Sequence, residues 1–575
     1  MSTLSAPGRP WWRTATAYQV YPRSFQDSDG DGIGDIPGIT SRIPYLATLG
    51  VDVLWLSPVY RSPMEDNGYD ISDYEDVDPV FGSLADLERL IETAHEAGIR
   101  IVMDLVVNHT SDQHPWFQAS RNPADPKRDW YVWRRPRELP EGAPVDTDAA
   151  PGQWRGDEPN GWVSAFSGPV WTLDEASGEY YLHFFAPGQP DLNWENPEVR
   201  HAVHAMMRRW IDRGVDGFRM DVINCISKPE DLYQDSSGGL DKAFFGPRFH
   251  EWMQEMHREV FDRYPDTVFL TVGECPGATI DQARLTTDPV RRELDMVFQF
   301  EHVELDATDG DKFRPRPMPL QEMKRSLASW TKGLAGRGWN SLYLSNHDRP
   351  RPVSRFGSPE HHRHASATAW GGMLHAHQGT PFVYQGEELG MADYPWTSID
   401  QFDDVETKGV WRERVELGGQ DPSIVWPGIV HASRDNARTP VHWDAGEHAG
   451  FTTGTPWLPV NPDHTWLNAA AQVGVAGSTF EFYRRMIALR KELPVLVDGS
   501  FELLHADDPK LWWVRREFDG VRLDAVGNMS DAPLTCDLPS GEVVLSNACE
   551  AGEGGKAPAC RMDQLAPWEI RWVLS

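Results

Sequence analysis

Cysteine is scarce in this chain: five residues in 575, an odd number (Cys225, Cys275, Cys536, Cys549 and Cys560) without metal-type spacing. A disulfide framework is therefore excluded as the basis of the fold, and only Cys549 and Cys560, in a Gly-rich stretch, leave one pairing open. Basic residues are few beside acidic ones, 54 Lys and Arg against 87 Asp and Glu, for a net charge of −33. That field repels a phosphate backbone, which excludes nucleic acid as a partner. No run approaches the ~20 apolar residues of a membrane-spanning helix. The opening stretch, MSTLSAPGRPWWRTATAYQVY, lacks a basic segment followed by an apolar core and a small-residue cleavage site. The expected compartment is a reducing cytoplasm.

What the chain does have is a rhythm of short apolar, β-rich runs. Eight recur along its first two thirds: ATAYQVYPRSF near 17, VDVLWLSPV near 53, IRIVMDLVVNH near 103, GVDGFRMDV near 218, TVFLTVGE near 270, LDMVFQFE near 297, SLYLSNHD near 343 and TPFVYQGEE near 383. Near-continuous apolar runs suit parallel strands buried on both faces. Helical patterns lie between them, such as residues 83–98, with Ser83 as N-cap and Gly98 as stop. Eight strands alternating with helices predict an α/β fold, a (β/α)8 TIM barrel. One interval, between the third and fourth runs, is far longer than the rest. Residues 110–187 are expected to form an inserted subdomain, leaving 1–109 and 188–496 as a discontinuous catalytic barrel. Residues 497–575 alternate apolar and polar around Asp-Gly and Ser-Gly turns, which predicts a C-terminal antiparallel β-sandwich.

In such a barrel the chemistry sits at the C-terminal strand ends. The third run ends in Asp104, Asn108 and His109, the fourth in Arg219 and Asp221, the fifth in Glu274, and the seventh in Asn346, His347 and Asp348. A lone Asp or Glu at a strand end is commonly a helix cap or a loop salt bridge. Several carboxylates with two histidines and an arginine at matching ends make a constellation. Glycosidic cleavage needs two carboxylates whose pKa values are pulled apart. Asp221, two residues from Arg219, is expected to be held low as the ionised member. Glu274, at the end of an apolar strand, is expected to be pushed up by desolvation as the proton donor.

These residues also carry a resemblance. YQVYPRSFQDSDGDGIGDIPGI (18–39), NGYDISDY (67–74), DLVVNH (104–109), QPDLNWENPEVR (189–200), GFRMDVINCISK (217–228), VGECPG (272–277), SNHDRPRPVSRFG (345–357) and RDNARTPVHWD (434–444) run nearly end to end. The chain resembles the α-amylase family of glycoside hydrolases (family 13), and most the branch of oligo-1,6-glucosidases and α-glucosidases. The resemblance implies Asp221 as nucleophile, Glu274 as general acid/base and Asp348 as transition-state stabiliser. It implies that Tyr69, Asp70, His109, Arg219, His347 and Arg438 hold the terminal glucose, Asp70 and Arg438 clamping its 4-OH, with Phe166 and Phe185 as aromatic walls. Val222, after the nucleophile, accompanies α-1,6 cleavage in that branch, although strand alternation alone would turn it away from Asp221.

The function so implied is exo-acting, retaining release of glucose from short, neutral α-glucosides, with an α-1,6 preference and no organic cofactor. The alternatives are an α-1,4-preferring or broad α-glucosidase with transglycosylation, and a glucosyl-transferring isomerase of the sucrose or trehalose type. Last, DSDGDGIGD packs Asp27, Asp29, Asp31 and Asp35 into residues 27–35. Alternating hard carboxylates suit Ca²⁺, or Mg²⁺ with waters. The stretch resembles the start of an EF-hand, but Gly38 stands where the bidentate Glu would be. The family resemblance implies one structural Ca²⁺ held by these four Asp side chains and the Ile33 carbonyl.

Overall fold

The computed structural model describes residues 9–234, 236–548 and 563–575. Eight strands form its centre: β1 (Ala17–Val20), β2 (Val53–Leu56), β3 (Arg100–Val106), β4 (Gly217–Asp221), β5 (Leu270–Glu274), β6 (Met296–Phe298), β7 (Ser341–Leu342) and β8 (Thr380–Tyr384). All pair in parallel, in the spatial order β6-β5-β4-β3-β2-β1-β8-β7, and a bridge between Val297 and Asn340 brings the two ends together. These are the eight runs of the sequence, each almost wholly buried.

Alternation sorts their side chains. Outward residues such as Leu54, Ile101, Met103, Phe218 and Met220 belong to the core shared with the surrounding helices. Inward ones, Ala17, Val53, Trp55, Val102, Leu270, Val272, Met296, Phe298 and Phe382, fill the barrel. Trp55 stacks on Phe298 at 5.4 Å and Phe298 meets Phe382 at 4.7 Å, so the interior is a packed floor rather than a pore. One same-face step further along β3, β4 and β5 the inward residues become Asp104, Arg219 and Asp221, and Glu274. Register places Arg219 beside Asp104 on one side and Val272 on the other.

The helices follow their local signals. Helix α1 (Leu84–Glu96) starts at a reciprocal Ser83–Asp86 capping box and turns Leu87, Leu90, Ile91 and Ala94 inward. Gly98, at φ 79°, lets the chain leave it. Helix α2 (Pro197–Asp212) is capped by Asn196 and buries Val199, Val203, Met206, Met207 and Trp210. Each large apolar side chain so buried contributes ~1.5–3 kcal/mol.

Between β3 and α2 the chain makes a three-stranded antiparallel sheet in which Glu179–Leu182 lies between Trp133–Arg134 and Trp171–Asp174. Its core of Trp162, Val170, Trp171, Tyr180, Leu182 and Phe184 also takes in Val222 and Cys225 from the loop after β4. The chain re-enters the barrel through a bridge between His109 and Asp191. At the C-terminus, strands within 502–574 form a five-stranded antiparallel sheet. One face packs on helices α3 (Arg363–His375) and α4 (Thr479–Glu492), with Trp370 against Trp512 at 5.7 Å. The other carries Leu511, Trp513 and Val526 beneath a ribbon formed by Leu534–Thr535 and Gln564–Leu565. Cys225, Cys275 and Cys536 are free thiols, and the Cys549–Cys560 pairing lies outside the described residues. Among the described residues no helix is long and apolar enough to cross a membrane.

Candidate active site

Arg219 is 1% exposed and is the hub of the strand ends. Its Nη1 donates to Asp104 Oδ1 at 2.9 Å and to Asp221 Oδ1 at 2.6 Å, and its Nη2 lies 2.7 Å from Glu274 Oε2. The guanidinium rests 5.0 Å above the Trp55 ring. The second Asp104 oxygen accepts from Trp55 Nε1 and from the Tyr69 hydroxyl, each at 3.0 Å. Three carboxylates thus share one cation away from water. Desolvation raises Asp221 well above the ordinary carboxylate range against the pull of Arg219, and the Glu274 and Asp104 charges add to the rise. This corrects the expectation of a depressed Asp221: one guanidinium cannot neutralise three buried acids. A retained proton belongs to the cluster as a whole.

Asp348 faces the cluster under opposite electrostatics. The His347 ring, stacked on Tyr69 at 4.9 Å and on Tyr21 at 6.0 Å, places Nε2 3.1 Å from Asp348 Oδ2. A short helix, Asp435–Arg438, carries Arg438, whose Nη2 donates to Asp348 Oδ1 at 2.8 Å, while Arg434 Nη1 stands 3.4 Å away. Burial works against the charge of Asp348, but His347, Arg434 and Arg438 together hold it well below the usual range.

A cavity of about 530 Å³ opens over these groups. Asp221, Glu274 and Asp348 line it, as do Tyr69, His109, Phe166, Phe185 and Val222. Phe166 and Phe185 come from the chain between β3 and α2, 5.6 Å apart, and Phe185 lies 5.2 Å from the His109 ring. Arg219, His347 and Arg438 stand buried behind the wall. A paired acid and acid/base with a third, ionised carboxylate opposite can cleave an acetal and stabilise the cation formed on its carbon.

Comparison with known proteins decides the family. The alpha-amylase catalytic domain matches residues 19–499. The chain belongs to the α-amylase family of glycoside hydrolases. It is 48% identical to an oligo-1,6-glucosidase of Parageobacillus thermoglucosidasius, over 98% of both chains. Among solved structures, an isomaltulose synthase from Klebsiella sp. LX3 superposes with a TM-score of 0.90 at 36% identity, over 99% of this chain and 100% of that one. A trehalose-6-phosphate hydrolase of Bacillus licheniformis does so with a TM-score of 0.88 at 38% identity, with the same coverage.

In this α-amylase-family hydrolase one expected sugar contact is displaced. Asp70 is fully buried and does not line the cavity. Its carboxylate accepts from the Ser62 hydroxyl at 2.9 Å, Glu65 N at 2.9 Å and Asp66 N at 3.1 Å, and burial pushes it up to about 7. Asp70 therefore shapes the loop, and Asp66 reaches the cavity, bound by Arg434 Nη2 at 2.9 Å. The reason is local: Tyr69 faces the cavity, so its immediate neighbour turns away. Asp66 stands immediately before the NGYDISDY motif and Arg434 opens the RDNAR stretch, so each lay beside residues the sequence singled out, although nothing in the sequence pairs the two.

Val222 departs from strand alternation. The chain leaves β4 at Asp221, and Val222 takes φ 34° and ψ 40°, a left-handed conformation that a β-branched residue seldom adopts. The turn aims its N–H at Glu274 Oε2, 3.1 Å away, and brings its side chain into the cavity wall. At the far acidic loop, Asp27, Asp29 and Asp35 each present a carboxylate oxygen within 4.8 Å of the others. Asp31 lies outside that group, its Oδ1 accepting from Ile33 N at 2.8 Å. Gly30 and Gly32, at φ 87° and 96°, let the loop fold round Asp27, whose carboxylate accepts from Gly30 N at 2.7 Å and Gly32 N at 2.9 Å. Three hard oxygens so gathered fit Ca²⁺ or Mg²⁺.

Proposed function

We propose that this hydrolase is an exo-acting, retaining α-glucosidase that releases glucose from the non-reducing end of short α-glucosides, with α-1,6 links preferred. The observation that carries the reading is the attachment of Asp221 and Glu274 to the two terminal nitrogens of Arg219. A guanidinium shared by both carboxyls favours the close pairing of a nucleophile and acid over the wider gap an inverting pair needs for water. In the first step Asp221 attacks the anomeric carbon as Glu274 gives its proton to the departing glycosidic oxygen. A C–O bond to Asp221 forms as the glycosidic bond breaks. In the second step the Glu274 carboxylate takes a proton from water, whose oxygen displaces Asp221, and the configuration is retained. Asp348, ionised throughout, stabilises the positive charge that develops on the ring, while Asp66, Arg434 and His109 fix the sugar and His347 holds Asp348 from behind the wall.

Charge at the mouth supports a neutral leaving group. Lys312 lies 2.6 Å from Glu406, Arg414 2.8 Å from Asp311 and Arg349 3.0 Å from Glu304, so each of these cations is already paired. That disfavours a phosphorylated sugar such as the name of the trehalose-6-phosphate hydrolase implies. Residues 110–187 act as the subdomain that supplies Phe166 and Phe185. One Ca²⁺, with Mg²⁺ the alternative, would be held by Asp27, Asp29 and Asp35, would supply charge that rigidifies the loop, and takes no part in the chemistry. The three described cysteines, all free, suit a reducing cytoplasm.

The likeness to isomaltulose synthase favours one second reading, a glucosyl-transferring isomerase. Product analysis from isomaltose, maltose and sucrose separates them. Glucose released fastest from isomaltose is the expected result; a rearranged disaccharide as main product from sucrose would establish the isomerase instead.

A further inference from the structure

Lys228, in the loop after β4, is buried and has no catalytic contact, yet its ammonium orders a chain of hydrogen bonds that ends at the sugar site. It binds the Asp191 carboxylate, and it donates to Asn108 Oδ1 at 2.7 Å and to the Cys225 carbonyl at 3.0 Å. A lysine offers donors only, so the oxygen of the Asn108 amide must face it. The amide nitrogen then faces Asp191 Oδ2 at 3.1 Å and His109 Nδ1 at 3.2 Å. An amide nitrogen also only donates, so Nδ1 of His109 is the acceptor and the ring proton resides on Nε2. That proton has its acceptor at hand, the Tyr69 carbonyl at 3.1 Å on the cavity wall. Gln189 closes the circuit: its oxygen accepts from Ala186 N at 3.0 Å, which turns its nitrogen toward Asp66 Oδ2 at 3.2 Å and also sets it 3.2 Å from His109 Nε2, donor facing donor. The opposite tautomer would accept from Gln189, but it would give up the bond to the Tyr69 carbonyl and set Nδ1–H against the Asn108 nitrogen, which could be relieved only by turning that nitrogen onto the Lys228 ammonium. Desolvation lowers His109, which keeps the ring neutral.

We propose that Lys228 is a positioning residue that, through Asn108, fixes His109 as the Nε2–H tautomer and so ties its ring to the Tyr69 carbonyl on the wall of the sugar site. The inference rests on the α-glucosidase reading for its consequence, but the tautomer itself can be read without substrate. The test is a long-range proton–nitrogen spectrum of the full chain labelled with [15N]histidine, with His109 assigned through His109→Gln. The parent is expected to show an unprotonated Nδ1. Asn108→Asp offers acceptors alone and is expected to move the proton to Nδ1 and to lower kcat/KM on isomaltose by roughly 10–100-fold, the scale of lost outer-shell support. Lys228→Met is expected to lower kcat/KM, and Lys228→Arg, again a pure donor, to restore part of it. A protonated Nδ1 in the parent, or Asn108→Asp with parental tautomer and parental kcat/KM, overturns the proposal. A parent that releases glucose from no α-glucoside ends the hydrolase reading, whereas the tautomer result stands or falls by itself should either lysine variant fail to fold.

Discussion

Asp66 and Arg434 meet at 2.9 Å across the cavity wall, joining the loop before Tyr69 to the segment that follows β8. Asp70, four residues on, points into the protein and receives three hydrogen bonds from its own loop. The two acids should therefore fail differently. Asp66→Asn is expected to lower kcat/KM about 10–100-fold, from the ~1.5–3 kcal/mol of one charged hydrogen bond to the sugar, and to lower Tm as well, because it breaks a buried ion pair with Arg434. Asp70→Asn forces an NH2 among N–H donors and is expected to cost ~1–3 kcal/mol of stability while kcat/KM stays within a few-fold. Thermal melts beside disaccharide kinetics check both. Equal kinetic losses would return Asp70 to the sugar site.

The nucleophile and the acid separate by leaving group. Asp221→Asn should abolish turnover of every glucoside, since no covalent intermediate forms. Glu274→Gln should lose isomaltose hydrolysis by at least about 10²–10⁴-fold, the usual scale of general acid catalysis. It should keep glucosylation from aryl glucosides whose leaving groups need no proton, which a burst of phenol reports. Normal isomaltose hydrolysis by Glu274→Gln would reassign the acid.

Much of this was legible in the residues, for identifiable reasons. A parallel strand buried on both faces reads as a continuous apolar run, so all eight barrel strands announced themselves, and their polar last residues marked the site. Contacts made between loops left no such trace. Asp66 and Arg434 are far apart in the chain, and only the turn at 62–70 and the helix Asp435–Arg438 bring them together. Alternation turned Val222 outward, and the left-handed turn that brings it back is invisible in a pattern of period two. The direction of the Asp221 shift depends on how many acids crowd Arg219, and Asp104 reaches it only through the β3–β4 register.

Stability should fall as pH rises from about 4.5 to about 7 through Glu387. It is buried behind β8 beside Glu388, with the Tyr483 hydroxyl donating to it at 2.9 Å, and desolvation lifts it from 4.5 to about 7. The folded state therefore binds this proton more tightly than the unfolded state does. Its contribution is fully present below the unfolded value and is lost as pH rises through about 7. A displacement of that size corresponds to roughly 3 kcal/mol. Glu387→Gln, neutral at all pH, should flatten urea-derived stability between pH 5 and 8, within about that limit. An unchanged slope would place the linkage elsewhere.

The acidic loop gives a metal prediction. An ion that binds only the folded state at 100 times its Kd adds ~2.7 kcal/mol. Chelator treatment should lower Tm, and Ca²⁺ should restore it better than Mg²⁺, because the loop offers several oxygens without rigid octahedral geometry. Asp27→Ala should abolish the response. Turnover at temperatures well below Tm should be unaffected, since the loop shares no residue with the cavity. A metal-dependent kcat in the folded protein would contradict this assignment.

Linkage preference should be sensitive to Val222. Its left-handed backbone brings the side chain into the cavity wall beside Asp221, and its N–H bonds Glu274, the group proposed to protonate the leaving sugar. Val222→Thr keeps the shape and the β-branching but replaces a methyl with a hydroxyl that can bond a secondary alcohol of an α-1,4-linked acceptor. A single such exchange in a pocket is worth ~1–3 kcal/mol, so the ratio of kcat/KM for isomaltose over maltose should fall roughly 10–100-fold without reversing absolutely. The backbone strain is common to both residues, so Tm should hardly move and the change should appear in the ratio alone. If both substrates decline in parallel, Val222 supports the turn that delivers Asp221 and does not read the acceptor.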